Sequence, residues 1–385
     1  MSATIGSNQK LSRNLNRGIV LKLICTNRNI SRIELAKRTG LTRATISNIV
    51  NELMDNHLIV EGEEDKNDNV GRNPTALQIA SSAPKIIGVM ISRRNVTVIL
   101  SDMKLTVLQE YQEKLRNETN ESLAEKICAY IRVILDKEPG AVAIGVAAIG
   151  QWDVDNGRLA SVVNFGSVKN LQLKAILQEK FGLPVYINND MTAAALAEKY
   201  YGYGKTLHDF VYLGITDGIG CGIVTNNEIY QMNSGLIGEI GHMGINYHGE
   251  TCPCGNRGCL ELYASVPKIV DKLRDVTGLG YNFRQFCDHP ASQEEENVFY
   301  DSLDRISYAL VSVVNLLNCE AIIIGHEGYF LPDRYIEYLE KNINAAKISK
   351  DVHVGVMKTA FEQRTPLYGS ICCVLKDIFT GDIEI

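Results

Sequence analysis

The chain has 385 residues, is 45% hydrophobic and 22% charged, and carries a formal net charge of −6. Its size suits two or three domains, and its composition is that of an ordinary globular protein, not of a disordered or fibrous chain. No apolar run is long enough for a membrane span, the first residues lack the apolar core of a signal peptide, and ten cysteines in such a chain point to a reducing cytoplasm.

Charge is spread unevenly. Residues 1–60 hold nine Lys/Arg against three Asp/Glu, whereas the remaining 325 hold 30 against 42. A basic head on an acidic body assigns contact with a polyanion to the head. A first helix is expected over Leu15–Asn27, with Ile19, Val20, Leu23 and Ile24 on one face. Ser31 and Glu34 fit a capping box at the start of a second helix, which Gly40 ends. Thr42 can cap a third helix with an apolar stripe of Ile46, Ile49, Val50 and Leu53. Two strand-like runs follow, Leu58–Glu61 and Thr75–Ile79, around a polar loop, and complete a winged helix-turn-helix over residues 1–80. In that motif the start of the third helix enters the major groove of double-stranded DNA, so Thr42, Arg43, Thr45, Ser47 and Asn48 are the expected DNA contacts, with Arg72 on the wing. A helical dimerisation arm with a solvated charged face is the alternative.

From Lys85 the pattern turns β-rich. Strands are expected at Ile86–Ser92, Val96–Asp102 and Leu105–Leu115, then a helix over Glu121–Leu135 and a buried strand at Val142–Ala148. A second run of strands at Phe210–Thr216, Gly220–Thr225 and Glu228–Met232 aligns without gaps on the first at an offset of 124, and a further strand is expected at Ala321–Ile324. Duplication of one α/β unit predicts two similar lobes with a cleft between them, the first over residues 81–200 and 360–385 and the second over 201–359. The run from Gly214 to Gly222 is a turn of the kind that brings backbone N–H groups to a phosphate, although tight hairpin packing explains it equally well. Asn188, Asn189 and Asp190 end an apolar strand before a helix over Met191–Tyr201, where polar residues meet ligands. Asp190 fits either a general base or a helix N-cap.

The densest chemistry lies between Gly238 and Glu261. Cys252, Cys254 and Cys259 with His242 make a soft donor set of the type that holds structural Zn2+, and Pro253, Gly255 and Gly258 suit a loop wrapped around an ion. Three thiols packed as small hydrophobes beside a core histidine are the alternative. Glu239 and Glu261 flank this loop as paired acceptors of the kind a polyhydroxylated ligand requires.

Over nearly its whole length the chain resembles the ROK family (repressors, open reading frames and kinases). The resemblance runs through SRIELAKRTGLTRATISNIVNELMDNHLI, GRNP, NNDMTAAALAE, LGITDGIGCGIV and GEIGHMGINYHGETCPCGNRGCLELYAS. The last stretch is the most specific and, with the winged head, points to the transcription-factor branch. What the resemblance implies is an actin-like ATPase (ribonuclease H-like) two-lobed fold behind the head, zinc on His242, Cys252, Cys254 and Cys259, and a sugar between the lobes. Its implied sugar contacts are Asn189, Asp190, Glu239, His242 and Glu261, with Asn164 as a further match. Family kinases carry an aspartate and a Gly-Gly-Thr phosphate turn where this chain has Met90, Ser92, Arg93 and Arg94, and their late glycine run reads Gly325-His-Glu-Gly328 here. Thr192 stands where the family often has asparagine. The expectation is therefore a cytoplasmic sugar-released repressor and not an enzyme, a dimer with a tetramer as the alternative, with Asp190 the remnant of a base. A sugar kinase bearing a DNA-binding head is the alternative.

Overall fold

Apolar stripes on three short helices build the head. The computed structural model describes residues 9–62, 75–153, 156–161, 165–231 and 238–383. In it the head comprises α1 (Gln9–Thr26), β1 (Ile30–Ser31), α2 (Arg32–Thr39), α3 (Arg43–Asp55), β2 (Ile59–Glu61) and β3 (Ala76–Ile79). Val20, Leu21 and Ile24 from α1, Leu35 from α2 and Ile46, Val50 and Leu53 from α3 are buried together with Leu77 of β3. The face of α1 is turned slightly from the expected one, since Leu21 and Cys25 are buried while Ile19 and Leu23 are only partly so. Ser31 caps α2 by accepting from the Glu34 amide at 3.3 Å. The expected return bond gives way to an ion pair, because Glu34 meets Arg38 one turn on at 3.0 Å. Gly40 ends the helix in the left-handed region at φ +71°. Strands β2 and β3 pair antiparallel from Ile59 and Ile79 as the base of a wing. Arg72, the expected wing contact, lies outside the described residues.

Two five-stranded sheets follow. The first is made of β4 (Lys85–Ile91), β5 (Asn95–Ser101), β6 (Val107–Lys114), β7 (Ala141–Ala148), which follows helix α4 (Asn120–Lys137), and β11 (Val185–Asn189), in the order β11-β7-β4-β5-β6. Between β7 and β11 run the short β8 (Gln151–Asp153), the antiparallel pair β9 (Arg158–Ser161) and β10 (Lys169–Leu171), and α5 (Leu173–Phe181). After α6 (Asp190–Tyr201) comes the second sheet, ordered β14-β13-β12-β15-β16. Its strands are β12 (Phe210–Ile215), β13 (Ile219–Thr225), β14 (Glu228–Ile229), β15 (Ala321–His326) and β16 (Gly355–Lys358). Helices α7 (Glu261–Ala264), α8 (Val266–Thr277), α9 (Phe283–Asp288), α10 (Gln293–Leu317), α11 (Asp333–Ala346) and α12 (Thr365–Thr380) complete the chain.

The two sheets repeat one strand order, as the duplication predicts. The gapless alignment holds only to the hairpin, however. Ile91 opposes Val96 across the first turn, whereas Ile215 opposes Ile219 across the second. The second turn is one residue shorter, so the offset falls from 124 to 123 beyond it. Each residue of β13 thereby takes the opposite face from the one the gapless alignment gives it. Strand β14 is also shorter than expected, and β16 carried too weak a pattern to be foreseen.

The contacts divide the chain into Met1–Gly150, Asn156–Ile187 and Ser370–Ile385 on one side and Gln151–Asp155 with Asn188–Gly369 on the other. The sequence reading ended the first lobe at residue 200, but α6 groups with the second unit because it packs on β12 and β13. In that unit Phe210 and Tyr212 face Met191, Ala194 and Ala195 of α6. The alternate residues Val211, Leu213 and Ile215 face a larger core with Leu260, Leu273, Phe286, Phe299, Leu310 and Tyr335. Burial on both faces explains why β12 and β15 read as unbroken apolar runs. In the first unit, α1 of the head rests on the end of α12. A Cβ added to Gly18 would lie 2.5 Å from the Phe379 carbonyl oxygen, so only glycine fits there.

Glycine also seats α6. A Cβ at Gly222 would fall 2.7 Å from the Ala195 methyl and 2.9 Å from the Met191 carbonyl carbon. Replacing Gly222 by Ala is therefore expected to destabilise the protein by about 1–3 kcal/mol through overpacking. Thermal melting measures this, and an unchanged curve would show that α6 does not rest on β13 through this residue.

Candidate functional site

The loop after the one-turn helix Ile240–His242 is pinned as a tight hairpin before any ion is considered. Gly244 bridges Cys259, Thr251 bridges Arg257, and the Cys252 amide donates to the Asn256 carbonyl at 2.8 Å. Gly255 and Gly258 take φ +94° and +64°, turns that a side chain would strain. As a result the ligand atoms of His242, Cys252, Cys254 and Cys259 all lie within 4.8 Å of one another. Cys254 and Cys259 sulfurs are 3.7 Å apart, and His242 Nδ1 is 3.7 Å from the Cys252 sulfur. A tetrahedral zinc site with bonds of about 2.3 Å to sulfur has edges of about 3.8 Å, so the four residues fit such an ion.

Electrostatics agrees with the geometry. The Asn256 backbone N–H holds the Cys254 thiol below its ordinary range. Burial pushes Cys252 up and Cys259 up to about 12. Such thiols ionise together only against a cation, which is what a metal supplies. The packed-thiol alternative fits less well, because Cys254 is exposed.

Next to this set stand the carboxylates. Glu239 Oε2 is 3.9 Å from His242 Nε2, and Glu261 Oε1 is 3.8 Å from His242 Nδ1. Burial pushes the Glu239 carboxyl upward, opposed by His242 and reinforced by Glu261 and Asp190. Those influences show that the three acids and the imidazole share one neighbourhood. Asn189 caps α6, accepting from the Met191 amide at 2.9 Å, so the cap falls on Asn189 while Asp190 becomes the first helical residue. Asp190 is buried, and its Oδ2 lies 3.5 Å from His326 Nε2 at the end of β15. Asn188 accepts from Gln231 at 2.9 Å. Asn164 lies outside the described residues.

The glycine run from Gly214 to Gly222 forms the hairpin turn between β12 and β13. The Thr216 amide is taken by the Gly218 carbonyl at 2.9 Å, and the Thr216 hydroxyl donates to Glu327 at 3.2 Å. A carboxylate at the turn repels a polyphosphate, and the neighbouring glycines are used to admit α6. His326 and Glu327 are the residues that sequence reasoning passed over, although a histidine and a glutamate between two glycines at the end of an apolar strand were a visible signal.

On the head, Arg43 and Asn48 are exposed at the start of α3 and Ser47 is partly so. Thr42 caps α3, accepting from the Thr45 amide at 3.2 Å, and the two threonine hydroxyls lie 2.9 Å apart. Their bonding capacity is thus partly used within the helix start, which leaves Arg43 and Asn48 the freer reach. Among the described residues no helix is long and apolar enough to cross a membrane.

A winged helix-turn-helix head followed by a duplicated α/β body defines a class that comparison identifies. The model of the ROK family matches residues 86–377, and a winged helix-turn-helix DNA-binding model matches residues 13–60. The chain belongs to the ROK family. It is 29% identical over 394 residues to the xylose repressor of Caldicellulosiruptor bescii, covering 97% of this chain and 98% of that one. The xylose repressor of Bacillus subtilis is 34% identical over 323 residues, 83% of each chain. A ROK family transcriptional regulator described as a homologue of the Escherichia coli MLC protein superposes with a TM-score of 0.81 at 26% identity, covering 96% of this chain and 98% of that one.

If these four residues hold an ion, replacement of Cys252 by Ser is expected to lower both the metal content of the purified protein and its melting temperature. Metal analysis of the purified variant decides the point, and undiminished metal content would exclude Cys252 as a ligand.

Proposed function

We propose that this protein is a sugar-responsive transcriptional repressor of carbohydrate-utilisation genes. The head binds an operator, and a sugar bound by Asn189, Asp190, Glu239, His242 and Glu261 releases it. The observation that carries this reading is the placing of Glu239 and Glu261 at 3.9 and 3.8 Å from the His242 ring, beside a metal-fitting loop, in a chain that also bears a winged head. Carboxylates accept hydrogen bonds from sugar hydroxyls, and a rigid support lets them select a pattern of hydroxyls. Repressors named for xylose among the relatives support a pentose as the first candidate.

Zinc is the ion proposed for His242, Cys252, Cys254 and Cys259, in the reducing cytoplasm that would keep the thiols available. When bound it supplies a fixed tetrahedral anchor and no reaction step. With Nδ1 turned to the thiols, His242 keeps Nε2 for Glu239 or a sugar hydroxyl, and the metal loop and the effector then constrain one ring from two sides. The protein acts as a dimer on a two-fold operator, since helix-turn-helix heads read paired half-sites. Against a kinase stand Arg93 and Arg94 at the first phosphate turn and Glu327 bonded to Thr216 at the second.

A sugar moves the operator equilibrium only by binding one state of the chain better than the other. A tenfold change in DNA affinity requires about 1.4 kcal/mol of such preference. Melting the protein with millimolar xylose, glucose and N-acetylglucosamine tests the effector, since a ligand at about 100 times its Kd stabilises by about 2.7 kcal/mol. At least one sugar should raise the melting temperature and weaken binding to a duplex selected from random sequence. If none does both, the repressor is not released by these sugars. Arg43→Ala is expected to lower affinity for that duplex by about 1–3 kcal/mol. Equal binding by gel shift would remove Arg43 from the DNA surface.

A further inference from the structure

His326 is held in a backbone conformation that suits glycine. It ends β15 at φ +56° and ψ −136°, far from the strand region, and it does so between Ile324-Gly325 and Glu327-Gly328. Such strain in a non-glycine residue persists where the side chain is used. The fold also makes room for the ring, because a Cβ on Gly214 would fall 2.8 Å from His326 Nδ1.

Each ring nitrogen has a defined neighbour. Nδ1 lies 3.1 Å from the hydroxyl of Tyr212. Burial keeps that phenol protonated, pushing its pKa far up, so it is available to donate to Nδ1. Nε2 then carries the proton. Among the described residues it is buried without a hydrogen-bond partner, and Oδ2 of Asp190 is 3.5 Å away. That gap is too long for a good direct bond but allows one oxygen atom to bond both groups from the side. A hydroxyl placed there accepts from Nε2–H and donates to Asp190, and two buried groups that are poorly served by each other become satisfied.

We propose that His326 is a sugar-binding residue, which together with Asp190 grips a single free hydroxyl of the effector. This inference rests on the effector reading of Asp190 given above and extends it in two respects. It adds a ligand-contacting residue from β15, and it sets the ligand class as a neutral sugar whose gripped hydroxyl is unphosphorylated. A phosphoryl group at that oxygen would face Asp190 with Glu327 behind Thr216, and it would lack the proton that Asp190 must receive.

The decisive variant is His326→Gly, because glycine adopts the observed backbone angles without strain and the variant is expected to melt no lower than the parent. Calorimetric titration with xylose, glucose and N-acetylglucosamine, and with glucose 6-phosphate and N-acetylglucosamine 6-phosphate, is run on both proteins. The sugar that binds the parent is expected to bind His326→Gly at least tenfold more weakly, and His326→Gln, which keeps a donor, is expected to recover part of the loss. Parental affinity in His326→Gly would overturn the assignment while leaving the repressor reading intact. A parent that binds none of the compounds would overturn both. A parent that binds glucose 6-phosphate or N-acetylglucosamine 6-phosphate as tightly as the free sugar would overturn the ligand class, and loss in His326→Gly with no recovery in His326→Gln and a lowered melting temperature in both would reduce His326 to a packing residue.

Discussion

The distance at which α6 approaches β12 and β13 sets the position of Asn189, Asp190 and His326 in the proposed effector site. Gly222 allows the helix backbone to settle where any side chain would hold it off, and the apolar face of Met191, Ala194 and Ala195 then closes on Phe210 and Tyr212. Because Asn189 and Asp190 form the first turn of that helix, their reach follows from the seat beneath it. Gly214 contributes on the same face, giving space to the Met191 side chain and to the His326 ring. A polar site is in this sense positioned by an apolar contact.

The thiol and imidazole set works on a second scale. Eight residues from Cys252 to Cys259 are too few to build a core, so hydrogen bonds across the hairpin do the ordering, to which the proposed ion would add. His242 belongs to both groups, with one nitrogen toward Cys252 and the other toward Glu239. Its orientation therefore transmits the state of the loop to the carboxylates, and an ordered loop presents Glu239 and Glu261 with less freedom to lose on binding a ligand.

Much of this was legible in the sequence, and the parts that were not have identifiable causes. The head could be read residue by residue because its signals are local: Ser31 and Thr42 cap helices and Gly40 ends one. The strand duplication was visible in apolar runs, yet its register slipped by one at Val96 and Ile219, since a turn length leaves no mark in hydrophobicity. The glycine run illustrates a deeper ambiguity. Phosphate cradles and helix seats both demand a missing side chain, and only the positions of Met191 and Glu327 distinguish them. The donors of the metal set were clear from spacing, but the pairing of Asp190 with His326 joins residues 136 positions apart and needed the fold.

The backbone at His326 carries a consequence for how such a chain changes over generations. A position whose main chain would be more comfortable as glycine is one that substitution can vacate, because glycine removes the strain there, against a freer unfolded chain and a lost contact with Tyr212. On the proposed role, what holds histidine there is the contact of its ring with a ligand. Chains that descend from this one and abandon its ligand should lose the histidine early, well before they lose the cysteines that hold their loop together.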